Sequence, residues 1–177
     1  MALPLRSVYS FHYSAPSVVL VDVFGMDVWV VTWGGIKRDK IDAIVSDLVR
    51  ERNEWTCQRC SFICPDGQAA GKSRRVENSH FIPRRHQATR YDPDNCDCLC
   101  KKCHQYFTED NTGEYAAWKR GDLGDDRYEA LIERGQSICK RTKAEKEELY
   151  QHLRAQMQYM QRRRKSETGW LDFVAWD

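Results

Sequence analysis

The chain has little net charge, no long uninterrupted apolar run and only a modest share of apolar residues. With 28 Lys and Arg against 26 Asp and Glu, its formal charge is +2 over 177 residues, so no global field dictates a nucleic-acid partner. Its most apolar stretch, SVVLVDVFGMDVWVVTW (17–33), is interrupted by Asp22 and Asp27. Such a segment is not uniform enough to span a bilayer, and no small-residue cleavage site follows it, as a secretory signal requires. The sequence therefore predicts no membrane partner and a reducing, cytoplasmic location. Apolar residues make up 41% and charged residues 31%, which leaves a modest core in need of another staple.

What is present is cysteine. There are eight, and in a reducing compartment close pairs bind metal more often than they form disulfides. Cys57 and Cys60 make one C-x2-C pair and Cys100 and Cys103 a second, with thirty-nine residues between Cys60 and Cys100. A two-residue gap lets both sulfurs of a pair face one ion, and two such pairs supply the four thiolates of a tetrahedral zinc site. A redox pair would need a βαβ setting and no partner pair. Cys64, Cys96, Cys98 and Cys139 remain, of which Cys64 and Cys98 read as small buried hydrophobes, with either open as a substitute ligand.

Basic charge is local. Six Lys or Arg (Lys72, Arg74, Arg75, Arg84, Arg85, Arg90) stand against the single acid Glu77 between Lys72 and Arg90, and nine stand against three glutamates between Lys140 and Lys165. Residues 1–35 read as an N-terminal extension, a β-hairpin or a peripheral segment. Residues 36–56 carry an amphipathic helix, about 37–53, whose stripe is Ile41, Ile44, Val45, Leu48 and Val49. A core of 57–120 follows, short of periodic runs and suited to stabilisation by ligands. The region 121–165 is helical, with short helices broken at Gly121 and Gly124. Its long helix, about 142–164, is capped by Thr142 with Glu145 three residues on and carries the stripe Leu149, Leu153, Met157, Met160. Residues 166–177 read as a tail with exposed aromatics.

Between the cysteine pairs lie His80 and Asn95, and His104 directly follows Cys103. This order resembles the HNH, or ββα-metal, nucleases. More narrowly, SHF-x-x-RR…TR-x-D-x-x-N…C-x-x-CH is similar to phage recombination endonucleases of the NinG type. The resemblance is strongest over 57–112. It implies an α+β fold in which a zinc-stapled ββα core is flanked by helices. It further implies a metal-dependent DNA endonuclease leaving 3′-hydroxyl and 5′-phosphate ends, acting in phage recombination or DNA processing. Structural Zn2+ would sit on Cys57, Cys60, Cys100 and Cys103, and catalytic Mg2+ or Mn2+ on His104.

The roles follow from chemistry. Neutral imidazole, with a pKa of about 6.5, accepts a proton from water at neutral pH, which suits His80 as base. Asn95 can pin the loop that orients it. Arg84, Arg85 and Arg90 offer guanidinium forks for DNA phosphates, or one of them pairs with Asp92 or Asp94 to hold the loop. Many family members carry an aspartate ligand just before the first histidine, where this chain has Ser79. Waters, Asn78, His86 or Asp94 are the candidates to replace it. The competing function is a non-catalytic zinc-ribbon module that binds nucleic acid. Paired nicks on both strands would suit a homodimer.

Overall fold

A computed structural model describes residues 37–64 and 76–176. The expectation for residues 1–35 lies outside the described residues. Helix α1 (Lys40–Arg52) starts on a reciprocal cap. The Asp39 carboxylate accepts from the Ile41 and Asp42 N–H groups, both at 3.0 Å, and Asp42 accepts from the Asp39 N–H at 2.8 Å. Ile41, Val45, Leu48 and Val49 are fully buried, as their spacing predicts, and Ile44 packs at the edge.

After α1 the backbone takes two successive left-handed residues, Glu54 (φ 49°) and Trp55 (φ 57°). Side chains adopt this region at some cost. Here it is held by the bond from the Trp55 N–H to the Arg50 carbonyl at 2.9 Å. The result swings the chain off the helix end into the first cysteine pair.

Strands β1 (Val76–His80) and β2 (Cys96–Cys100) pair antiparallel, with Val76 opposite Cys100 and His80 opposite Cys96. A two-stranded ribbon alone is marginal in water. This one is backed by α1 and by α2 (Lys101–Gln105), which leaves β2 without a loop and continues as a π-helical turn, Tyr106–Asp110. The local order is therefore strand, strand, helix. Val76, Leu99 and Phe107 are fully buried, and the Phe107 ring stacks on Tyr115 with centroids 4.5 Å apart.

Helices α3 (Thr112–Leu123), α4 (Asp125–Gln136) and α5 (Lys143–Arg163) follow in the described residues. Thr142 and Glu145 cap α5 reciprocally, at 3.2 and 2.6 Å, and Leu149, Leu153 and Met160 are buried against the core. The predicted break at Gly121 is absent: α3 runs through it, because an interior glycine weakens a helix by only about 1 kcal/mol. The chain turns instead at Gly124, where φ is 76°. No helix among the described residues is long and apolar enough to cross a membrane.

The C-terminal segment departs from the expected exposed tail. Leu171 and Phe173 are buried, and Arg52 stacks beneath Trp170 at 4.5 Å and Phe173 at 5.4 Å. Arg164 fastens the end of α5 to α1 through Glu51 at 3.1 Å and to the turn after α1 through Glu54 at 2.9 Å. Part of the basic run at 162–165 is thus committed to structure.

Candidate metal centre and histidine cavity

The first cysteine pair sits on a tight knuckle. The Cys57 N–H bonds to the Phe62 carbonyl and the Ser61 N–H to the Cys57 carbonyl, both at 2.9 Å, with Ser61 left-handed at φ 56°. Gln58 docks the knuckle onto β2: its N–H bonds to the Cys98 carbonyl at 2.9 Å, and its side-chain oxygen accepts from the Cys98 N–H at 2.6 Å. The second pair comes from the end of β2 and the first turn of α2. The four sulfurs of Cys57, Cys60, Cys100 and Cys103 lie within 4.8 Å of one another, with Cys60 and Cys100 at 3.7 Å. Four thiolates at zinc-bond length would be about 3.8 Å apart. The cluster can hold a metal such as zinc.

Its electrostatics point the same way. Burial pushes the Cys103 thiol up to about 12, and burial likewise raises Cys100. Cys60 goes the other way: burial raises it, but hydrogen bonds from the Phe62 backbone and the neighbouring cysteines lower it overall. A cation is thus needed mainly to offset the resistance of Cys100 and Cys103. Arg59 supplies only part of it, reaching Cys103 Sγ at 3.9 Å while bonding Glu114 at 3.0 Å and lying over the Tyr106 ring at 4.1 Å. Cys96 and Cys98, both buried and raised to about 12 by that burial, lie outside the cluster, as does buried Cys64.

Beside the cluster lies a cavity of about 530 Å³ lined by Arg38, Asp42, Ser46, Arg50, Glu77, Asn78, His80, Arg84 and His104. His80 and His104, twenty-four residues apart in the chain, therefore open onto one space. The His80 Nε2 atom lies 3.0 Å from the Arg90 carbonyl. A carbonyl only accepts, so Nε2 carries the proton and Nδ1 keeps its lone pair. Burial lowers the His80 pKa to about 4, against the raising effect of that bond and with help from the Arg84 charge. The ring is neutral through the physiological range.

Asn95 closes the loop that follows. Its amide donates to the Ile82 and Thr89 carbonyls, each at 2.9 Å, its side-chain oxygen accepts from the Ile82 N–H at 2.6 Å, and its carbonyl accepts from the Phe81 N–H at 3.0 Å. Fully buried, it ties both ends of the loop to one side chain.

The remaining expectations sort by position. Ser79 is turned into the core, donating to the Tyr115 hydroxyl at 3.1 Å. Tyr115 in turn donates to Asp97 at 2.7 Å, and Lys119 donates to Asp97 at 2.6 Å. His86 bonds the Gly135 carbonyl at 3.2 Å, and Asp94 pairs with Arg127 and Arg134. Neither His86 nor Asp94 lines the cavity. Asn78 does, and its Oδ1 is buried without a hydrogen-bond partner.

Arg84 lines the cavity and Arg85 is exposed. Arg90 differs from expectation. Its guanidinium is buried and forks onto Asp42 (Nε to Oδ1 2.9 Å, Nη2 to Oδ2 2.5 Å), so it is not presented to a phosphate. Nor does it pair with Asp92 or Asp94, which are held by α4 arginines. Burial alone would raise the Asp42 carboxyl, but the Arg90 fork and the Asp39 N–H hold it below its ordinary value.

Two contributions escaped the sequence reading. Glu77 Oε2 lies 2.8 Å from His104 Nδ1. Arg38, Asp42, Ser46 and Arg50 form a polar stripe at four-residue spacing beside the apolar stripe of α1, and that periodicity was the available signal. A second cavity, about 330 Å³, lies by Asp92, Asp94 and Phe173. Its lining includes Arg127 and Arg134, both ion-paired, and no histidine. Comparison with known proteins finds no matching family model, no significantly similar curated protein and no significantly similar solved structure.

Proposed function

We propose that this protein is a metal-dependent DNA endonuclease of the HNH type, with zinc on Cys57, Cys60, Cys100 and Cys103 as its structural staple. The observation that carries the reading is the shared cavity of His80 and His104, with His80 neutral and its Nδ1 unblocked by the Arg90 carbonyl. In this reading His80 Nδ1 takes a proton from water as the water oxygen bonds to phosphorus. The bond from phosphorus to the 3′ oxygen breaks and that oxygen takes a proton from solvent water, leaving 3′-hydroxyl and 5′-phosphate ends. Asn95 holds the loop so that His80 keeps its direction, and Arg84 binds the phosphate.

The donor set also suits a hard divalent ion. With Nδ1 engaged by Glu77, His104 has Nε2 left for coordination, and the unpartnered Asn78 Oδ1 is an oxygen ligand on the same lining. His104 and Asn78 would hold Mg2+ or Mn2+, with Glu77 orienting the His104 ring, and the ion when bound would polarise the phosphate and stabilise the leaving oxygen. Asn78 thereby takes the place of the missing aspartate at Ser79.

Phage recombination or DNA processing is the setting the sequence resemblance suggests. One observation favours the second reading, a non-catalytic zinc module: Ser79 is withdrawn from the cavity, so the family's usual ligand position is empty of function here. Supercoiled plasmid incubated with protein and Mg2+ or Mn2+ separates the two. Nicking that stops with EDTA and yields ends sealed directly by DNA ligase supports the nuclease. DNA retention without any cleavage supports the binding module.

A further inference from the structure

Arg38 and Arg84 reach the histidine cavity from different segments, the turn before α1 and the loop after β1. Arg84 makes no hydrogen bond or ion pair with any other described residue. Arg38 is exposed and spends one donor on Ser46 Oγ at 3.1 Å, out of five on a guanidinium. The third arginine of the lining is already committed: Arg50 bonds the Val76 carbonyl at 3.1 Å and Asp47 at 2.9 Å.

The acids of the lining are also engaged, Asp42 by buried Arg90 and Glu77 by His104. Among the described residues of this lining, the charge left unmatched is thus cationic and carried by forked donors. Such donors match the paired oxygens of a phosphodiester, where an apolar ligand would find few partners.

We infer that Arg38 and Arg84 together clamp the DNA phosphate backbone in this cavity, with Arg38 the arm supplied from outside the zinc-closed segment. This rests on the nuclease reading and adds a substrate-binding residue that lies beyond the stretch of resemblance. Contacts of this kind position the duplex without reading its sequence.

The test is the affinity of the full chain, zinc retained and without added Mg2+ or Mn2+, for short duplexes of unrelated sequence across a NaCl series. Arg38→Ala should lower the slope of log affinity against log salt by about 0.9, and the double replacement with Arg84→Ala by about 1.8. Arg38→Lys should keep the slope. Arg38→Gln, which retains a donor for Ser46, should lose it like alanine, and this separates charge from local folding. Wild type that binds and nicks DNA while Arg38→Ala and Arg38→Gln keep its slope overturns the clamp alone. Wild type that neither binds nor nicks DNA overturns the nuclease reading beneath it.

Discussion

Glu77 on β1 and His104 on α2 meet at 2.8 Å, Oε2 to Nδ1. A carboxylate only accepts, so Nδ1 carries the proton and the His104 Nε2 lone pair is left for a ligand. On the nuclease reading, removing this support should loosen the proposed divalent ion and leave the proposed base, His80, in place. Glu77→Ala is expected to raise the Mn2+ concentration for half-maximal nicking by about 10- to 100-fold. Glu77→Gln, which keeps an acceptor, should fall between. An unchanged Mn2+ requirement in both variants would detach Glu77 from the metal.

The Asp42–Arg90 pair is expected to act on stability. Asp42→Ala strands a buried guanidinium, at about 3–5 kcal/mol, measured by denaturant unfolding. Arg90→Met with Asp42→Leu should cost less than either single change. In a folded Arg90 variant the salt slope of DNA binding should stay at the wild-type value, in contrast with Arg84→Ala. A flattened slope would return Arg90 to the phosphate-binding set.

Zinc should be inseparable from the fold. The knuckle and the start of α2 converge from opposite ends of a long excursion, and burial raises the Cys100 and Cys103 thiols, which a cation would offset. About one zinc per chain is expected, and Cys57→Ser combined with Cys100→Ser should abolish cooperative unfolding. A metal-free chain with a normal melting transition would contradict this.

His80 gives a pH dependence with a definite sign. Its folded pKa of about 4 lies below the ordinary value of 6.5, so between those limits the unfolded chain binds more protons than the folded one. Its contribution is present in full above pH 6.5 and is lost as pH falls toward 4, by up to about 3 kcal/mol. Compared at pH 7 and pH 4.5, wild type should lose more stability than His80→Gln. Zinc loss at low pH is common to both proteins, so equal losses would mean His80 is not buried as a neutral ring.

The parts legible in sequence were local ones. The α1 stripe, the Thr142 cap and the two cysteine pairs each depend on spacings within a few residues, and the first two are fixed by helical periodicity alone. What escaped depends on distant partners. Arg90 looks like a phosphate ligand until Asp42, forty-eight residues earlier, arrives to bury it. Arg164 looks like part of a solvated run until Glu51, 113 residues away, accepts its guanidinium. Phe173 reads as a tail aromatic because nothing nearby announces that Arg52 lies beneath it. Glu77 needed the strand register, which sets β1 beside the residues leading into α2.

The nuclease reading turns on His80 as base in the cavity it shares with His104. It is tested most directly by single-turnover nicking of plasmid with Mn2+, wild type against His80→Ala, with duplex binding measured in parallel. His80→Ala should lose about 10²- to 10⁴-fold in rate with binding retained. Equal rates from the two proteins would contradict it.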